Sequence, residues 1–197
     1  MKTILITGAS HGIGKAIAEK LAACGMRLFL NCRSSKETLY EYAVQLSETY
    51  HVPCTPLFYD VSDHNQVHAM FEEIDALGES IDILINNAGY GILGDMAEGD
   101  VPSQVGMVTL NCGALTALCT LTLPHMKDGG VIINVSSIAS FVPTPRMAVY
   151  GATKSFVASL SRALREELKS RHINVLALCP GPMSTEFLEK ADITAGK

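Results

Sequence analysis

The chain has 197 residues, enough for one domain with a sizeable core, and its formal net charge is −5. The charged residues are interspersed, so neither the sign nor the distribution of charge is typical of a protein that binds nucleic acid or an anionic membrane surface. Runs of consecutive apolar residues have the length of strands and the chain enters a strand at once, so we expect neither a membrane-spanning helix nor a signal peptide.

Segments with the patterns of strands and helices alternate along the chain, which predicts an α/β fold with a doubly wound parallel sheet covered by helices on both faces. The predicted strands cover residues 2–7, 27–32, 55–59, 81–85, 131–135 and 173–178. The predicted helices cover residues 15–22, 36–50, 65–77, 105–126 and 150–170. Pro53 and Pro56 flank the third strand, which favours a position at or near the edge of the sheet. We expect a single domain over residues 1–197, with its ligand crevice at the carboxyl ends of the strands.

The first predicted strand runs directly into a glycine-rich loop and then into a helix. Glycines at positions 8, 12 and 14 allow a tight turn and a close approach of the backbone to a pyrophosphate, whose charge the helix N-terminus stabilises. Such turns also close strands onto helices in proteins without a ligand, but here the strand, loop and helix occur in the required order. The residues predicted to bind a nucleotide in this loop are Gly8, Ser10, His11, Gly12, Ile13 and Gly14.

A second group of residues has the composition of a proton-transfer site. Tyr150 and Lys154 are four residues apart in a predicted helix, so their side chains lie on one face, about one turn apart. A lysine ammonium beside a phenol favours the phenolate and is expected to lower the tyrosine pKa below its usual value of about 10. Ser137, at the end of an apolar strand, is placed to hold a carbonyl oxygen. Taken alone, the tyrosine and lysine are more typical of a surface pair on an amphipathic helix.

Several motifs of this chain together resemble the short-chain dehydrogenase/reductase family, in its compact soluble branch. The matching segments, in the order and spacing of that family, are Thr7-Gly8-x-x-x-Gly12-x-Gly14, Asp60-Val61, Asn86-Asn87-Ala88-Gly89, Asn111, Ser137, Tyr150-x-x-x-Lys154 and Pro180-Gly181. The resemblance covers essentially the whole chain. It implies a Rossmann fold and a nicotinamide cofactor.

The choice of cofactor depends on the end of the second strand, where NAD-dependent relatives place an acidic residue that binds the ribose 2′-hydroxyl. This chain has Cys32 there, followed by Arg33 and Ser34, and an arginine makes a strong charge-assisted contact with a 2′-phosphate. His11 occupies a position where NADP-dependent relatives often carry a basic residue. We therefore expect NADP(H) rather than NAD(H), while an ordinary surface role for Arg33 and an ordinary loop role for His11 stay open.

Further cofactor-binding residues are implied by the same resemblance. Asp60 and Val61 match a dipeptide that contacts the adenine, although an aspartate here can also cap a helix. Small residues after the fourth strand let the backbone approach the ribose closely, and residues near the C-terminus close over the nicotinamide. These further residues are Asp60, Val61, Asn87, Ala88, Gly89, Tyr150, Lys154, Pro180, Gly181 and Thr185.

The resemblance also implies an oxidoreductase with a catalytic set of Asn111, Ser137, Tyr150 and Lys154. In this set Tyr150 is the general acid in carbonyl reduction and the general base in alcohol oxidation. Lys154 lowers the pKa of Tyr150 and holds the nicotinamide ribose. Ser137, favoured over Ser136 by the family's spacing, binds the substrate oxygen. Asn111 binds a water that connects Lys154 with solvent.

The small-molecule substrate is expected to lie between residues 90–93, residues 138–142 and the segment after Pro182. These segments are mostly apolar and have no clustered arginine or lysine to hold a carboxylate or phosphate. We therefore expect a neutral, fairly hydrophobic carbonyl or secondary alcohol. Family members commonly associate through the helices that begin near Val105 and Tyr150, so a homo-oligomer is expected by resemblance.

The cysteines are scattered along the chain and have no metal-ligand spacing, so we expect no metal site. All but Cys54 lie within apolar stretches, which favours reduced thiols that pack as small hydrophobic side chains. Reduced thiols are typical of a cytoplasmic protein. The six positions are Cys24, Cys32, Cys54, Cys112, Cys119 and Cys179.

The chain ends at Lys197, soon after Pro180 and Gly181, whereas members of the family normally continue through a substrate-covering segment, a further helix and a seventh strand. We expect either a truncated chain without the last helix and strand, or a sheet edge covered by a partner. Two functions stay open. The intact catalytic set favours an NADP(H)-dependent carbonyl reductase or alcohol dehydrogenase, and the short C-terminus favours a catalytically silent nucleotide-binding sensor or interaction protein.

Overall fold

The computed structural model describes residues 1–182, which contain one parallel sheet with the strand order β3-β2-β1-β4-β5-β6. The strands are β1 Thr3–Thr7, β2 Arg27–Cys32, β3 Cys54–Phe58, β4 Ile81–Asn86, β5 Met126–Val135 and β6 Asn174–Leu178. The helices are α1 Gly12–Ala23, α2 Lys36–Tyr50, α3 His64–Ala76, α4 Val101–Val108, α5 Leu115–Thr122 and α6 Ala148–Glu167. The strand order reverses between β1 and β4, which confirms the predicted doubly wound sheet and places its crevice at the carboxyl ends of these two strands.

Helices cover both faces of the sheet because the central strands are apolar on both sides. All five residues of β1 are buried, as is typical of a parallel strand between two helical layers. On one face α1 and α2 pack on β1 and β2 in a cluster that includes Ile4 and Leu28. On the other face α3, α5 and α6 pack in a second cluster that includes Leu5 and Phe29. The position of β3 at the sheet edge, predicted from its flanking prolines, is confirmed.

Strand β5 is longer than expected, because the Gly129-Gly130 pair lies inside it. Met126 already pairs with Ile81, whereas Val131 pairs with Ile83, so the intervening residues form an irregularity in the ladder. Gly129 has a φ of 85°, a conformation that permits this bulge. The glycines therefore bend the strand instead of marking its beginning.

The long helix before β5 begins at Val101, four residues earlier than the sequence predicts. The carboxylate of Asp100 caps it by accepting a hydrogen bond from the Ser103 N–H, and Pro102 lies in the first turn. An aspartate cap followed by a proline is a common signal for the beginning of a helix, and the predicted start at residue 105 did not take it into account. The helix is also interrupted by a π-helical segment, Thr109–Ala114, between α4 and α5.

The same helical region corrects the expectation that no segment approaches the length of a membrane span. Val101–His125 is long and apolar enough to cross a membrane by length and composition. Polar uncharged residues interrupt its apolar runs, so counting consecutive apolar residues missed it. In the structure Leu115 and Leu118 of this region are buried in the core on the sheet, which is typical of a core helix, while Val105 and Val108 are exposed.

All six cysteines are free thiols, as expected. Cys32 and Cys119 are buried, and Cys54, Cys112 and Cys179 are half-buried. Cys24 is exposed, contrary to the expectation that it packs in the core, because it follows the last turn of α1 at the surface.

Candidate active site

The glycine-rich loop follows β1 at the reversal point of the sheet and leads into α1. Gly8 and Gly12 have φ values of 64° and 51°, in the left-handed region that other residues adopt only with strain. Gly14 lies in the first turn of α1, where a Cβ atom would be 2.3 Å from the carbonyl oxygen of Gly8. Only glycine therefore lets the helix approach the loop this closely.

The loop is held by the segment that follows β4. The Thr7 hydroxyl accepts hydrogen bonds from the backbone N–H groups of Asn87 and Ala88, both at 3.1 Å. The Asn87 side-chain amide donates to the carbonyl oxygens of Thr7 and Gly8, both at 3.0 Å. Two of the segments predicted to bind the cofactor thus form one connected unit at the ends of β1 and β4.

The residues of this unit fit a pyrophosphate. Among the described residues, the N-cap His11 makes no side-chain hydrogen bond to the first turn of α1, so the amide groups there are left for another acceptor. A helix N-terminus carries a partial positive charge that favours an anion. Ser10 and His11 lie beside it, with Ser10 Oγ 2.8 Å from His11 Nδ1, and Ile13 is half-buried in the first turn.

Asp60 lies at the carboxyl end of β3, beside the end of β2. Its carboxylate accepts hydrogen bonds from the Ser62 N–H and hydroxyl at 2.9 and 2.6 Å and lies 3.8 Å from the Arg33 guanidinium. It does not cap α3, because Asp63 does so by accepting from the Asn65 N–H. Val61, next to it, is buried in the core. The alternative of Asp60 as a helix cap is therefore not observed.

The end of β2 presents positive charge beside a neutral thiol. Arg33 and Ser34 are exposed, and burial raises the pKa of the Cys32 thiol, so no negative charge stands in the position of the acidic residue. Lys36, a cation that sequence reasoning missed, begins α2 with its Nζ 5.9 Å from the centroid of the Phe58 ring. Its position three residues after Arg33 was the available signal. These groups fit a 2′-phosphate, although Asp60 partly offsets the charge of Arg33.

Ser137, Tyr150 and Lys154 come together at the carboxyl end of β5. Ser137 begins a short 3₁₀ turn, and its hydroxyl accepts a hydrogen bond from the Ala139 N–H at 3.2 Å. Tyr150, in the first turn of α6, shares a side-chain hydrogen bond with Ser137. Lys154 Nζ donates to the carbonyl oxygen of Val135 at 2.8 Å and lies 5.6 Å from the centroid of the Tyr150 ring.

Burial changes the pKa values of both titratable groups. It raises the pKa of Tyr150 above its usual value, and the hydrogen bond with Ser137 lowers it by less. It lowers the pKa of Lys154 to about 8, with smaller opposing effects from Cys112 and Cys179. The lowered tyrosine pKa expected from the sequence is therefore not seen in the protein alone, because desolvation of the phenolate dominates. A raised pKa keeps Tyr150 in the protonated form that can donate a proton.

Asn111 lies in the π-helical segment and connects it with the loop after β4 and with α6. Its Oδ1 accepts from the Tyr90 N–H at 3.1 Å, while its Nδ2 donates to the Tyr90 carbonyl at 2.9 Å and to Thr153 Oγ1 at 3.1 Å. A Cβ atom on Gly89 would lie 2.8 Å from Asn111 Oδ1 and 3.6 Å from Lys154 Nζ. The Asn111 side chain is thus engaged with protein groups, and its contact with a water stays a prediction.

The segment after β6 approaches the Ser137 turn. The Pro180 carbonyl accepts a hydrogen bond from the Ile138 N–H at 3.1 Å, and the Leu178 carbonyl accepts from the Ser136 N–H at 2.7 Å. Gly181 is exposed. Thr185 and the predicted substrate-covering segment after Pro182 lie outside the described residues.

Apolar side chains lie on the loop between Ser137 and α6, as predicted. Phe141 and Val142 are 68% and 60% exposed. A groove of about 550 Å³ follows this loop, but its lining does not include Ser137, Tyr150 or Lys154. The lining residues are Ala139, Ser140, Phe141, Val142, Pro143, Thr144, Pro145, Ala148, Gly151, Ala152 and Ser155. This groove therefore lies beside the predicted catalytic residues and not over them.

Arg146 is a charged residue on this loop that the sequence-based description of the substrate pocket left out. It has a φ of 63°, which costs a non-glycine residue about 1–2 kcal/mol. Its carbonyl accepts a hydrogen bond from the Gly94 N–H at 2.8 Å, and its Nε lies 3.8 Å from the Asp95 carboxylate. The available signal was a single arginine four residues before Tyr150, which was overlooked because only clusters of charge were considered.

Comparison with known proteins gives a consistent result over nearly the whole chain. A family model described as short chain dehydrogenase matches residues 2–195. An NADP-dependent 3-hydroxy acid dehydrogenase of Schizosaccharomyces pombe is 37% identical over 190 residues, which are 94% of this chain and 73% of the relative.

Solved structures of similar proteins agree in fold. A short-chain dehydrogenase from Sphingobium yanoikuyae in complex with NADPH has a TM-score of 0.89 and 36% identity, covering 98% of this chain and 76% of that chain. A short-chain dehydrogenase/reductase from Burkholderia phymatum in complex with NAD has a TM-score of 0.88 and 28% identity, covering 98% and 69%. Both nicotinamide cofactors therefore occur among similar structures.

Proposed function

The chain belongs to the short-chain dehydrogenase family, and we propose that it is an NADP(H)-dependent oxidoreductase that interconverts a carbonyl group and a secondary alcohol. The observation that carries this proposal is the meeting of Ser137, Tyr150 and Lys154 at the carboxyl end of β5. The whole of residues 1–197 would form a single domain for this cofactor.

The bound nicotinamide supplies or accepts the hydride. In reduction, the Ser137 hydroxyl holds the substrate oxygen as negative charge develops on it, and Tyr150 donates its proton to that oxygen. Burial raises the pKa of Tyr150, so the phenol is protonated before the reaction. Lys154, whose ammonium lies over the Tyr150 ring, stabilises the phenolate that is left and holds the ribose. Asn111 and its water would return a proton from solvent.

We propose that this chain prefers NADP(H) to NAD(H). Arg33 and Lys36 supply positive charge at the end of β2, and the Cys32 thiol replaces the acidic residue that binds a 2′-hydroxyl. Both the S. pombe relative and the S. yanoikuyae structure are named with NADP or NADPH, whereas the B. phymatum structure contains NAD. The pyrophosphate would lie on the N-terminus of α1.

The substrate proposed from the lining of the site is neutral and fairly hydrophobic around the reacting carbon. Ile138 and Phe141 on the loop after β5 are exposed apolar side chains, and Ile92 packs near Tyr150. Such surfaces favour alkyl groups next to the carbonyl. The S. pombe relative is named for 3-hydroxy acids.

We propose that the protein is a homo-oligomer and works in a reducing, cytoplasmic setting. Residues 101–125 contain no lysine, arginine, aspartate or glutamate, and Val105, Val108 and Phe156 are exposed on α4 and α6, which pack against each other. An exposed surface without charge favours contact with a second copy. The unpaired thiols support the compartment.

The experiment that tests the function is a side-by-side titration with NADPH and NADH in a calorimeter, followed by a screen of ketones and aldehydes for NADPH oxidation. We expect tighter binding of NADPH and turnover of at least one carbonyl compound. Equal affinities, or tighter binding of NADH, would contradict the cofactor choice. The alternative, a catalytically silent nucleotide-binding sensor or interaction protein, has less support and predicts NADPH binding without turnover of any carbonyl.

A further inference from the structure

We propose that Arg146 selects an anionic substrate, namely an oxo acid or hydroxy acid whose carboxylate it binds while the reacting carbon lies at Ser137 and Tyr150. This inference rests on the proposed oxidoreductase function and names the substrate class of that same site. It replaces the expectation of a neutral substrate by that of an anionic one, while the apolar surroundings of the reacting carbon stay in place.

Arg146 lies where two loops at the site meet. It precedes Tyr150 by four residues, and its carbonyl holds the N–H of Gly94 on the loop after β4 at 2.8 Å. The next residue, Met147, packs in the small apolar cluster that contains Tyr150 and Ile92. The backbone of Arg146 is therefore anchored beside Tyr150, and its side chain is 60% exposed.

The charge distribution makes Arg146 the candidate for binding an anion. Residues 87–95 and 136–149 contain one cation, Arg146, and one anion, Asp95. The two side chains lie 3.8 Å apart and are 60% and 64% exposed, and an exposed pair of this kind is weak and readily exchanged. Because the pair uses Nε, and no described residue accepts a hydrogen bond from the terminal guanidinium nitrogens, a carboxylate can replace Asp95 with a bidentate contact.

The backbone of Arg146 gives a second, independent indication. Its φ of 63° lies in the left-handed region, where glycine would be unstrained and arginine is not. Two other described residues with such a φ, His51 and His172, end helices, whereas Arg146 lies beside the candidate active site, where strain of this kind often serves a function. The loop itself would fold at least as well with glycine, so the guanidinium group is the feature that needs an explanation.

The test compares a free acid with its own methyl ester, 3-oxobutanoate and methyl 3-oxobutanoate, as substrates with NADPH. We expect the wild type to reduce the acid with a kcat/KM at least about 10-fold higher than that of the ester. Arg146→Gln should raise KM for the acid about 10- to 100-fold, in the range of one lost charge-assisted contact, and change KM for the ester less than about 3-fold. The preference for the acid should also fall with added salt.

Two control variants separate charge from backbone strain and from the competing carboxylate. Arg146→Gly relieves the strain, so it should raise Tm and still lose the preference for the acid. Asp95→Asn frees the guanidinium, so it should lower KM for the acid and leave the ester unchanged. If Arg146→Gln affects acid and ester equally, or if the wild type does not prefer the acid, the inference is wrong.

A binding measurement distinguishes failure of this inference from failure of the proposed function. The dissociation constant of 3-oxobutanoate is measured by calorimetry on Tyr150→Phe saturated with NADPH, with and without Arg146→Gln. Binding that weakens at least about 10-fold without the arginine supports the inference even if no variant turns over either compound. Equal binding overturns it even if the wild type is an active reductase.

Discussion

At the scale of single residues, the site depends on two titratable groups that the fold removes from water. Burial raises the pKa of the Tyr150 phenol and lowers that of the Lys154 ammonium to about 8. Both shifts disfavour the charged form, as desolvation requires. Tyr150 is therefore in its protonated form, and the charged form of Lys154 lowers the stability of the folded chain at neutral pH.

The first prediction concerns the acid itself. Tyr150→Phe removes the hydroxyl that donates the proton, so turnover should fall by about 10²-fold or more. NADPH affinity should change little, because the Arg33 end of the crevice and the glycine-rich loop are unaltered. The rate of NADPH oxidation measures the turnover, and calorimetric titration measures the NADPH affinity. Full activity in this variant would exclude Tyr150 as the general acid.

The second prediction concerns the loss of stability caused by burying the charged Lys154 side chain. Its pKa of about 8 in the folded chain is below the ordinary value of 10.5, so folding releases a proton between these pH values and stability rises with pH across that window. Lys154→Met should therefore be more stable than the wild type at pH 7, by about 1–3 kcal/mol, although we expect it to lose activity.

The advantage of Lys154→Met should shrink as the pH rises from about 8 towards 10.5, where the wild-type lysine is neutral in the folded state. Urea unfolding of both proteins at pH 7 and pH 10 gives the comparison. A gap that is constant with pH would mean that the lysine is not buried in its charged form.

At the scale of elements, the π-helical segment Thr109–Ala114 joins the loop after β4 to the catalytic helix α6. Asn111 makes three hydrogen bonds from it, two to the Tyr90 backbone and one to Thr153. Tyr90 in turn donates its hydroxyl to the Ser103 carbonyl in α4 at 2.8 Å. Lys154 follows Thr153 in α6, so this network connects the π-helical segment with the helix that carries the proposed catalytic lysine.

The third prediction tests this network. Asn111→Ala leaves the Tyr90 N–H and carbonyl without their partners and should lower the free energy of unfolding by about 2–3 kcal/mol. Gly113→Ala is the matched control in the same segment, since a Cβ there meets no atom within 4 Å, and should be close to neutral. Chemical denaturation of the two variants is the measurement. Equal stabilities would show that the Tyr90 contacts are not essential.

At the scale of the whole molecule, the strand reversal between β1 and β4 collects the candidate cofactor and catalytic residues at one end of the sheet. The other distinctive surface is formed by α4, which has no charged residue, and the exposed Phe156 of α6. Val105 and Val108 of α4 and Phe156 of α6 are exposed there. Helix α4 leads into the segment that contains Asn111, and α6 contains Tyr150. A second copy on this surface would rigidify the helices that hold the site.

The fourth prediction is that a charge on this surface dissociates the oligomer. Phe156→Asp, at a position that is 41% exposed, should place an unpaired carboxylate in the contact between copies and reduce the mass measured by light scattering. Tyr40→Asp, at an exposed position on α2, is the control and should leave the mass unchanged. A wild-type mass of one chain would contradict the homo-oligomer directly.

Much of the fold was already predictable from the order of local patterns. The alternation of strands and helices, the doubly wound sheet and the edge position of β3 follow from residues close together in sequence, such as Pro53 and Pro56. The predicted first residues of α4 and β5 were wrong. The sequence-based start of α4 did not take the Asp100 cap into account, and the start of β5 depends on its pairing with β4.

For the site, residue types and their spacing predict the candidate groups, which are the glycines of the first loop, Arg33, Ser137, Tyr150 and Lys154. The environments that change the chemistry of these groups arise from tertiary packing. The raised pKa of Tyr150 depends on burial among segments far apart in sequence, and the position of Arg146 next to the loop after β4 depends on the Gly94 contact. The sequence shows which residues are present and in what order. Their desolvation, and the proximity of segments that are distant in sequence, exist only once the chain has folded.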